Sequence, residues 1–369
     1  MEGLDKKYEE MFSNYKESDY FEENTIAIDY VKNIYSENDE DRSYMLTGVR
    51  LISSNSESLS KILKTIVSSC DRAVKTEVQP NGWQVFYLYK EIFQSLINRD
   101  RGFNFFRGQS HDYPLLPGIM RDGVAKSSIS YFETIYHKMS YEFPDKIDYT
   151  EFNGLDSIIA REHDLSLLQH YGLKTALLDI TKNPYIAMLF MLKEKIKDYK
   201  EPAFYLFKIN EKEKTLFSEV RKNQINERIL AQKGAFLNFE KALLKDEDIK
   251  PIPYIKIILQ FNEDDYKAII NSDIFLYNSL KHHYPSEKYK VQIEEYERII
   301  EKFKGYLNSI DKSKEESLAY INNELTQKLE EYYYTKEDMF PDFENRIRYL
   351  SRNYNKYIKN DKEYTENNE

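Results

Sequence analysis

Three separated segments hold polar side chains whose types could bind or transform a ligand. FNFFRGQS contains Arg107 near the end of a predicted strand, on the same side as two phenylalanines that are expected to be buried, and Gly108 is expected to end that strand. HYGLKTALLDITKNPYIAMLF contains Asp179 at the end of a short apolar strand, and NERILAQKGAFLNF contains Gln232 just before another strand. A guanidinium with spare donors, next to a carboxylate and an amide, is typical of a site for phosphate or a nucleotide.

Arg107 and Asp179 allow two interpretations. A carboxylate between two apolar segments needs a partner, because a buried unpaired charge is costly, and Arg107 is the best partner. In the structural interpretation, the pair ties two strands together. In the functional interpretation, Asp179 orients the guanidinium while some of its donors stay free for a ligand. Gln232 is likewise either an amide bonded to backbone or an amide presented to a ligand.

The second segment, residues 170–190, also has signals of ordinary structure. Gly172 follows a predicted helix at the position where a left-handed residue stops it. Asn183-Pro184 is a strong helix start, with asparagine as the N-cap and proline in the first turn. The first turn of the following helix, 184–198, predicts an anion site. Packing does not account for four further polar residues: His170, Tyr171, Thr175 and Asp179.

The pattern of apolar residues predicts the elements that must position these side chains. We predict strands at 103–110, 175–180, 202–209, 234–239 and 254–261, with helices at 128–142, 155–170, 184–198 and 217–231. Beyond residue 262, helical periodicity predicts segments 262–283, 287–310, 313–335 and 341–359. The predicted fold class is therefore α+β, with a small mixed central sheet flanked by helices and a largely helical C-terminal region.

Changes in this pattern divide the chain into four predicted regions. Residues 1–84 are expected to form a helical N-terminal region, and residues 85–261 an α+β core. Residues 262–360 are expected to be helical, and residues 361–369 to form a disordered tail.

Composition limits the classes of function. The chain has 369 residues, of which 41% are hydrophobic, so it can build a sizeable core. Its net charge of -10 argues against a dedicated DNA-binding surface. A single cysteine excludes an intrachain disulfide or four-thiolate zinc site, and the histidine spacings predict no metal. Since no apolar run reaches the roughly 20 residues of a membrane helix and no signal peptide is recognisable, we expect a cytoplasmic protein without membrane contact.

Taken together, the three segments resemble the FRG domain, a bacterial and phage family named after a Phe-Arg-Gly motif. Phe106-Arg107-Gly108 matches that motif. HYGLKTALLDITKNP is similar to the family pattern His-Tyr-Gly-Leu-Pro-Thr-Arg-Leu-Leu-Asp-Trp-Thr-x-Asn-Pro, and RILAQKGAF to the block Arg-x-x-x-Gln-x-Gly-x-Phe. The likeness is expected to extend over about 85–290.

The chain departs from the family pattern at three positions of the second segment. Lys174, Ala176 and Ile180 stand where the family has proline, arginine and tryptophan. The arginine missing at position 176 removes one candidate anion contact, and Lys174 is a candidate for replacing its charge.

The resemblance implies a nucleotide site, because the layout of the family resembles that of ADP-ribosyltransferases. In those enzymes an early-strand arginine or histidine holds NAD, and a late-strand glutamate motif orients the ribose or the acceptor; Gln232-Lys233-Gly234 lacks this glutamate. With NAD as the implied cofactor, the catalytic candidates are Arg107, His170 and Gln232. The candidates for contact with NAD are Arg107, Gln109, Tyr171, Thr175, Asp179 and Asn183.

Two functions of different class fit these residues. The first is a phage-defence or toxin-type effector that acts as an ADP-ribosyltransferase-like enzyme or an NAD glycohydrolase. The second is a non-catalytic module that senses a ligand or binds a partner. The C-terminal helices are a candidate surface for a protein partner or a homo-oligomer, although dense Glu and Lys are more typical of a solvated face. The sequence leaves open whether the site turns a ligand over.

Overall fold

A computed structural model describes residues 6, 9–10, 13–36, 42–76, 84–97, 102–121, 129, 131–192, 200–219, 230–244, 249–283, 288–339 and 347. Within these residues one mixed sheet contains β1 (Phe21–Lys32), β2 (Tyr44–Ser54), β3 (Phe105–Gln109), β4 (Leu177–Thr181), β5 (Ala203–Phe207), β6 (Phe217–Ser218), β7 (Gly234–Asn238) and β8 (Ile252–Phe261). Their order across the sheet is β2-β1-β8-β5-β3-β4-β7-β6. The β1–β8 pair is parallel, and the other neighbouring pairs are antiparallel.

Helices cover the sheet. They are α1 (Glu57–Thr76), α2 (Val85–Leu96), α3 (Phe132–Glu142), α4 (Leu155–His170), α5 (Pro184–Met191), α6 (Glu263–His283), α7 (Lys290–Leu307), α8 (Ile310–Glu331) and the short α9 (Lys336–Met339). Among the residues described, no helix has both the length and the apolar character that crossing a membrane requires.

The α+β class is confirmed, and the C-terminal helices follow the last strand as predicted. Every predicted strand overlaps an observed one, and α4 has its predicted bounds. The helix predicted at 217–231 is wrong at its start, because Phe217–Ser218 is strand β6. The predicted segments 341–359 and 361–369 lie outside the described residues, apart from residue 347.

The N-terminal region, residues 1–84, is not helical throughout as predicted, because it contains β1 and β2. Every residue of β1 from Asn24 to Val31 is buried. A strand that is buried on both faces shows no alternation of apolar and polar residues, so its sequence carries no strand periodicity. Since β1 pairs with β8, the predicted N-terminal region and core share one sheet, which is larger than the small sheet expected. The division into regions stays a prediction.

Two apolar clusters fill the two faces of the sheet. On β5, Phe204 and Leu206 belong to the cluster that includes side chains of α1, α2, α5 and the C-terminal helices. Tyr205 and Phe207 belong to the cluster that includes α3 and α4. The alternation along one fully buried strand shows that the sheet is the middle layer of the molecule.

A network of buried charges fixes α4 in place. Arg161 has no exposed surface, and its Nη2 lies 2.7 Å from Oε1 of Glu240 and also pairs with Glu133 of α3. Its Nη1 donates to the backbone oxygen of Thr150 at 2.6 Å. Two carboxylates and a carbonyl thereby compensate one buried guanidinium. Because α4 ends at His170, this network fixes the helix that carries part of the site described below.

Gly108 allows α5 to pack directly on β3. A Cβ at this position would lie 1.9 Å from the backbone oxygen of Ala187 and 2.8 Å from the backbone nitrogen of Met191. The strand does not end at Gly108 as expected, since β3 continues to Gln109. The glycine is therefore needed for close approach of the helix and not for a turn.

Gly108→Ala is expected to destabilise the protein by about 3 kcal/mol, because the backbone of α5 must move away from the sheet. Urea unfolding followed by circular dichroism measures this change. The matched control is Gly305→Ala on the exposed side of α7, where an added Cβ meets nothing within 4 Å. That control should stabilise the protein by roughly 0.5–1 kcal/mol. Equal effects of the two substitutions would rule out the close approach.

Candidate functional site

A cleft of about 340 Å³ lies where β3, β4 and β7 meet the end of α4. Side chains from all three sequence segments line it: Arg107, His170, Asp179 and Gln232. The structure thus brings the three candidate catalytic residues together. The volume falls at the lower end of the roughly 300–1,000 Å³ typical of ligand pockets. Aromatic and apolar side chains complete the walls, among them Phe106, Ile180, Phe190 and Phe236.

Arg107 supplies the positive charge of the cleft. Its Nη1 donates to the backbone oxygen of Asp179 at 2.6 Å, and its Nε donates to Oε1 of Gln109 at 3.3 Å. Within the described chain, Nη2 has no hydrogen-bond partner and so keeps its donors for a ligand. Burial lowers the pKa of Arg107 to about 10, against the opposing effect of Asp179, so the side chain is charged at neutral pH.

Asp179 contacts Arg107 in a different way from the predicted ion pair. The backbone carbonyl of Asp179 accepts the hydrogen bond, while its carboxylate Oδ1 accepts from Nε2 of Gln169 at 2.8 Å. Asp179 is exposed, so its charge does not need the buried partner that the sequence suggested. No described residue donates to Oδ2, which leaves this oxygen available in the cleft.

His170 reaches the cleft from the last turn of α4. The amide of Leu173 donates back to the carbonyl of Leu168 at 3.0 Å, as in a Schellman motif. Gly172 has φ +99°, which confirms the predicted left-handed stop. Tyr171 packs edge-on against His170, with ring centres 4.9 Å apart, but is 69% exposed and does not line the cleft.

Gln232 reaches the cleft from the turn before β7. Its Nε2 donates to the backbone oxygen of Met339 in α9 at 2.9 Å. Its own backbone oxygen accepts from the hydroxyl of Thr181 at 2.6 Å. The first contact fits the structural interpretation of Gln232, but an amide nitrogen has two donors, so the functional interpretation also stands. The sequence did not indicate that the C-terminal segment reaches this site.

Gln109 and Thr175, both candidates for contact with NAD, do not line the cleft. Gln109 is buried next to Arg107 and accepts its Nε hydrogen bond. Thr175 has no exposed surface, and its hydroxyl donates to Oε1 of Gln169. Both side chains therefore hold residues that line the cleft.

Asn183 does not line the cleft either, because it caps α5. Its Oδ1 accepts from the amide of Tyr185 at 2.9 Å, and Pro184 follows it in the first turn, which confirms the predicted helix start. The side chain occupies the terminal amide that was expected to bind an anion. The first turn of α5 does not line the cleft.

The structure adds residues that the sequence did not single out. Ser166 and Gln169 line the cleft from α4, four and one positions before His170. Helical spacing back from His170 could have indicated Ser166, because residues four apart share a helix face. Phe190 of α5 also lines the cleft, and nothing in its sequence context distinguishes it from a core residue.

None of the three residues that depart from the family pattern brings a charge into the cleft. Ala176 has no exposed surface, and Lys174, although exposed, does not line the cleft. The side chain of Lys174 therefore does not replace a charge in the site. Among the residues described, no three histidine, cysteine or acidic side chains are grouped to hold a metal ion.

Comparison with known families identifies the part of the chain that contains the first two sequence segments. A sequence model of the FRG domain matches residues 103–200. The chain contains an FRG domain. The match confirms the resemblance and includes Arg107, His170 and Asp179, but the expected extent of 85–290 is confirmed only for the matched residues. Neither curated proteins nor solved structures gave a match.

Asn183 should behave as a helix cap of the FRG domain and not as a ligand contact. Asn183→Ala is expected to cost about 1 kcal/mol of stability, whereas Asn183→Asp should change it by only a few tenths, because a carboxylate also accepts from the Tyr185 amide and can accept from the hydroxyl of Tyr334, to which Asn183 donates. Thermal unfolding measures both variants. Loss of ligand affinity in Asn183→Asp, with stability intact, would return this residue to the site.

Proposed function

We propose that the cleft of the FRG domain binds NAD and that the protein transfers ADP-ribose from it or hydrolyses it, as a phage-defence or toxin-type effector. The observation that carries this proposal is the placement of Arg107, with Nη2 unbonded in the described chain, beside the exposed carboxylate of Asp179. The effector role rests on the resemblance to the family.

Binding would combine charge and aromatic packing. The donors of a guanidinium match the geometry of phosphate oxygens, which suits Arg107 to the pyrophosphate. Phe106, Phe190 and Phe236 line the same cleft and offer aromatic surface to a base or to nicotinamide. A volume of about 340 Å³ suits one of the two nucleotide halves of NAD. Phe190, at the cleft, is partly exposed to solvent, which would leave the other half of NAD room to extend outward.

Asp179 is suited to promote cleavage of the bond between nicotinamide and ribose. When this bond breaks, its electrons go to the nicotinamide nitrogen and positive charge develops on the ribose. A carboxylate that Gln169 already holds stabilises that charge without first reorganising. Asp179 contributes the only carboxylate among the described residues that line the cleft, and so would replace the missing late-strand glutamate. Water or an acceptor nucleophile then attacks the ribose carbon.

Ligand sensing without turnover is the second candidate, and one observation favours it. Gln232, in the cleft, is bonded to Met339, and Asn183 next to the cleft strand donates to the hydroxyl of Tyr334 at 3.0 Å. A ligand bound in the cleft would therefore act directly on contacts with the C-terminal segment. This function predicts tight binding of NAD with no loss of it.

A protein partner or homo-oligomer through the C-terminal helices stays a proposal. Helix α8 buries its apolar side chains in the core, so it offers little apolar surface for such a contact. The exposed apolar side chains lie on α6 and α7: Phe275, Leu276 and Val291.

Two substitutions separate binding from chemistry. Arg107→Ala should weaken binding of NAD by about tenfold to a hundredfold, because charge-assisted hydrogen bonds are lost. Asp179→Asn keeps an oxygen for Gln169 and should bind NAD normally, but should release nicotinamide about a hundredfold more slowly. Isothermal titration calorimetry and a nicotinamide-release assay give the two readouts.

The matched control is Arg298→Ala, which removes an arginine whose side chain is 77% exposed on α7. It should match the wild type in both assays. Equal NAD cleavage by the wild type and Arg107→Ala would disprove the enzymatic proposal. Tight binding to the wild type with no cleavage would favour the sensing function.

A further inference from the structure

A row of paired residues crosses the sheet from the cleft. Arg107 on β3 pairs with Tyr205 on β5, Tyr205 pairs with Lys256 on β8, and Lys256 pairs with Thr25 on β1. Cross-strand partners lie on the same face of a sheet, so these side chains form one line under the cluster that contains Tyr205. The row thus connects Arg107, the charged residue of the cleft, with Lys256, which forms ion pairs with Asp112 and Glu23.

Gln109 lies two residues beyond Arg107 on the same face of β3 and is the first hydrogen-bonded link from Arg107 to this row. Its neighbours determine its orientation. Its Nε2 donates to the backbone oxygen of Tyr113 at 2.8 Å, and a carbonyl oxygen can only accept. The amide oxygen of Gln109 must therefore point the other way, where it accepts from Nε of Arg107 at 3.3 Å. The same Nε2 lies 3.2 Å from the hydroxyl of Tyr205.

Tyr205 is the second link. Its hydroxyl donates to Oδ1 of Asp112 at 3.0 Å, the shorter of its two contacts as a donor. Lys256 holds the other oxygen of Asp112 at 3.1 Å and also pairs with Glu23 at 3.2 Å. The hydrogen bonds from Nε of Arg107 to Gln109, from Nε2 of Gln109 to Tyr205 and from Tyr205 to Asp112 thus run in one direction, and hydrogen bonds with a common direction reinforce one another.

We propose that Gln109 and Tyr205 are positioning residues, which fix the guanidinium of Arg107 so that Nη2 faces the cleft. Gln109 accepts from Nε and is itself held by the hydroxyl of Tyr205, while the carbonyl of Asp179 accepts from Nη1. These contacts leave one edge of the guanidinium for a ligand. The inference rests on the proposed function only in taking Arg107 as a ligand-binding group, since the hydrogen bonds exist without a ligand.

Tyr205→Phe tests this inference with little disturbance, because the ring that packs against Phe207 and Tyr254 is kept. The NMR resonance of the Arg107 Nε–H group, assigned by its loss in Arg107→Lys, reports how firmly the guanidinium is held. Its hydrogen exchange should become about tenfold faster in Tyr205→Phe and faster still in Gln109→Leu. Binding of NAD should weaken by a similar factor.

The matched control is Tyr136→Phe, which removes another buried hydroxyl that donates to a carboxylate, that of Asp164 at 2.9 Å. Tyr136 has no link to Arg107, so the control should change neither exchange at Arg107 nor binding of NAD.

Unchanged exchange at Arg107 in both Tyr205→Phe and Gln109→Leu would overturn the inference. If the wild type fails to bind NAD, the proposed function fails. The exchange measurement still decides whether these two residues position Arg107.

Discussion

The cleft depends on how closely α5 packs against β3 at Gly108. The helix backbone occupies the space that a side chain would need, so the helix can lie directly on the strand. Because α5 begins at Pro184, three positions after β4 ends at Thr181, the position of the helix also restricts β4. The carbonyl that holds Arg107 belongs to β4. One strand therefore carries both Gly108, against which the helix packs, and Arg107, which lines the cleft.

Arg161 and Arg107 differ in how completely the protein compensates their charge. Arg161 lies between Glu133 and Glu240 and also bonds a backbone carbonyl, so its charge is compensated inside the protein. Arg107 has a carbonyl and an amide oxygen as partners, and the nearest carboxylate bonds elsewhere. Its charge is less completely compensated, which leaves electrostatic attraction for an anionic ligand.

The sequence indicated those parts of the fold that depend on local chemistry. The stop at Gly172 and the cap at Asn183 follow from residue type and neighbours, and both are confirmed. Strand β1 could not be recognised, because burial on both faces removes its alternation. The contact between Arg107 and Asp179 uses a backbone carbonyl, which any residue would supply. Gln232 and Met339 are 107 positions apart, and no local pattern encodes such a contact.

The two charged residues of the cleft lie in the part of the chain that matches the FRG domain. Arg107 and Asp179 both lie within residues 103–200, where the domain model matches, whereas Gln232 lies beyond the match. A ligand held by the two charges would therefore depend mainly on the domain itself. Gln232 lies between the cleft and Met339, so it depends on the C-terminal segment as well. The geometry of the two charges is therefore set within the matched residues, whereas the position of Gln232 is set together with the C-terminal segment.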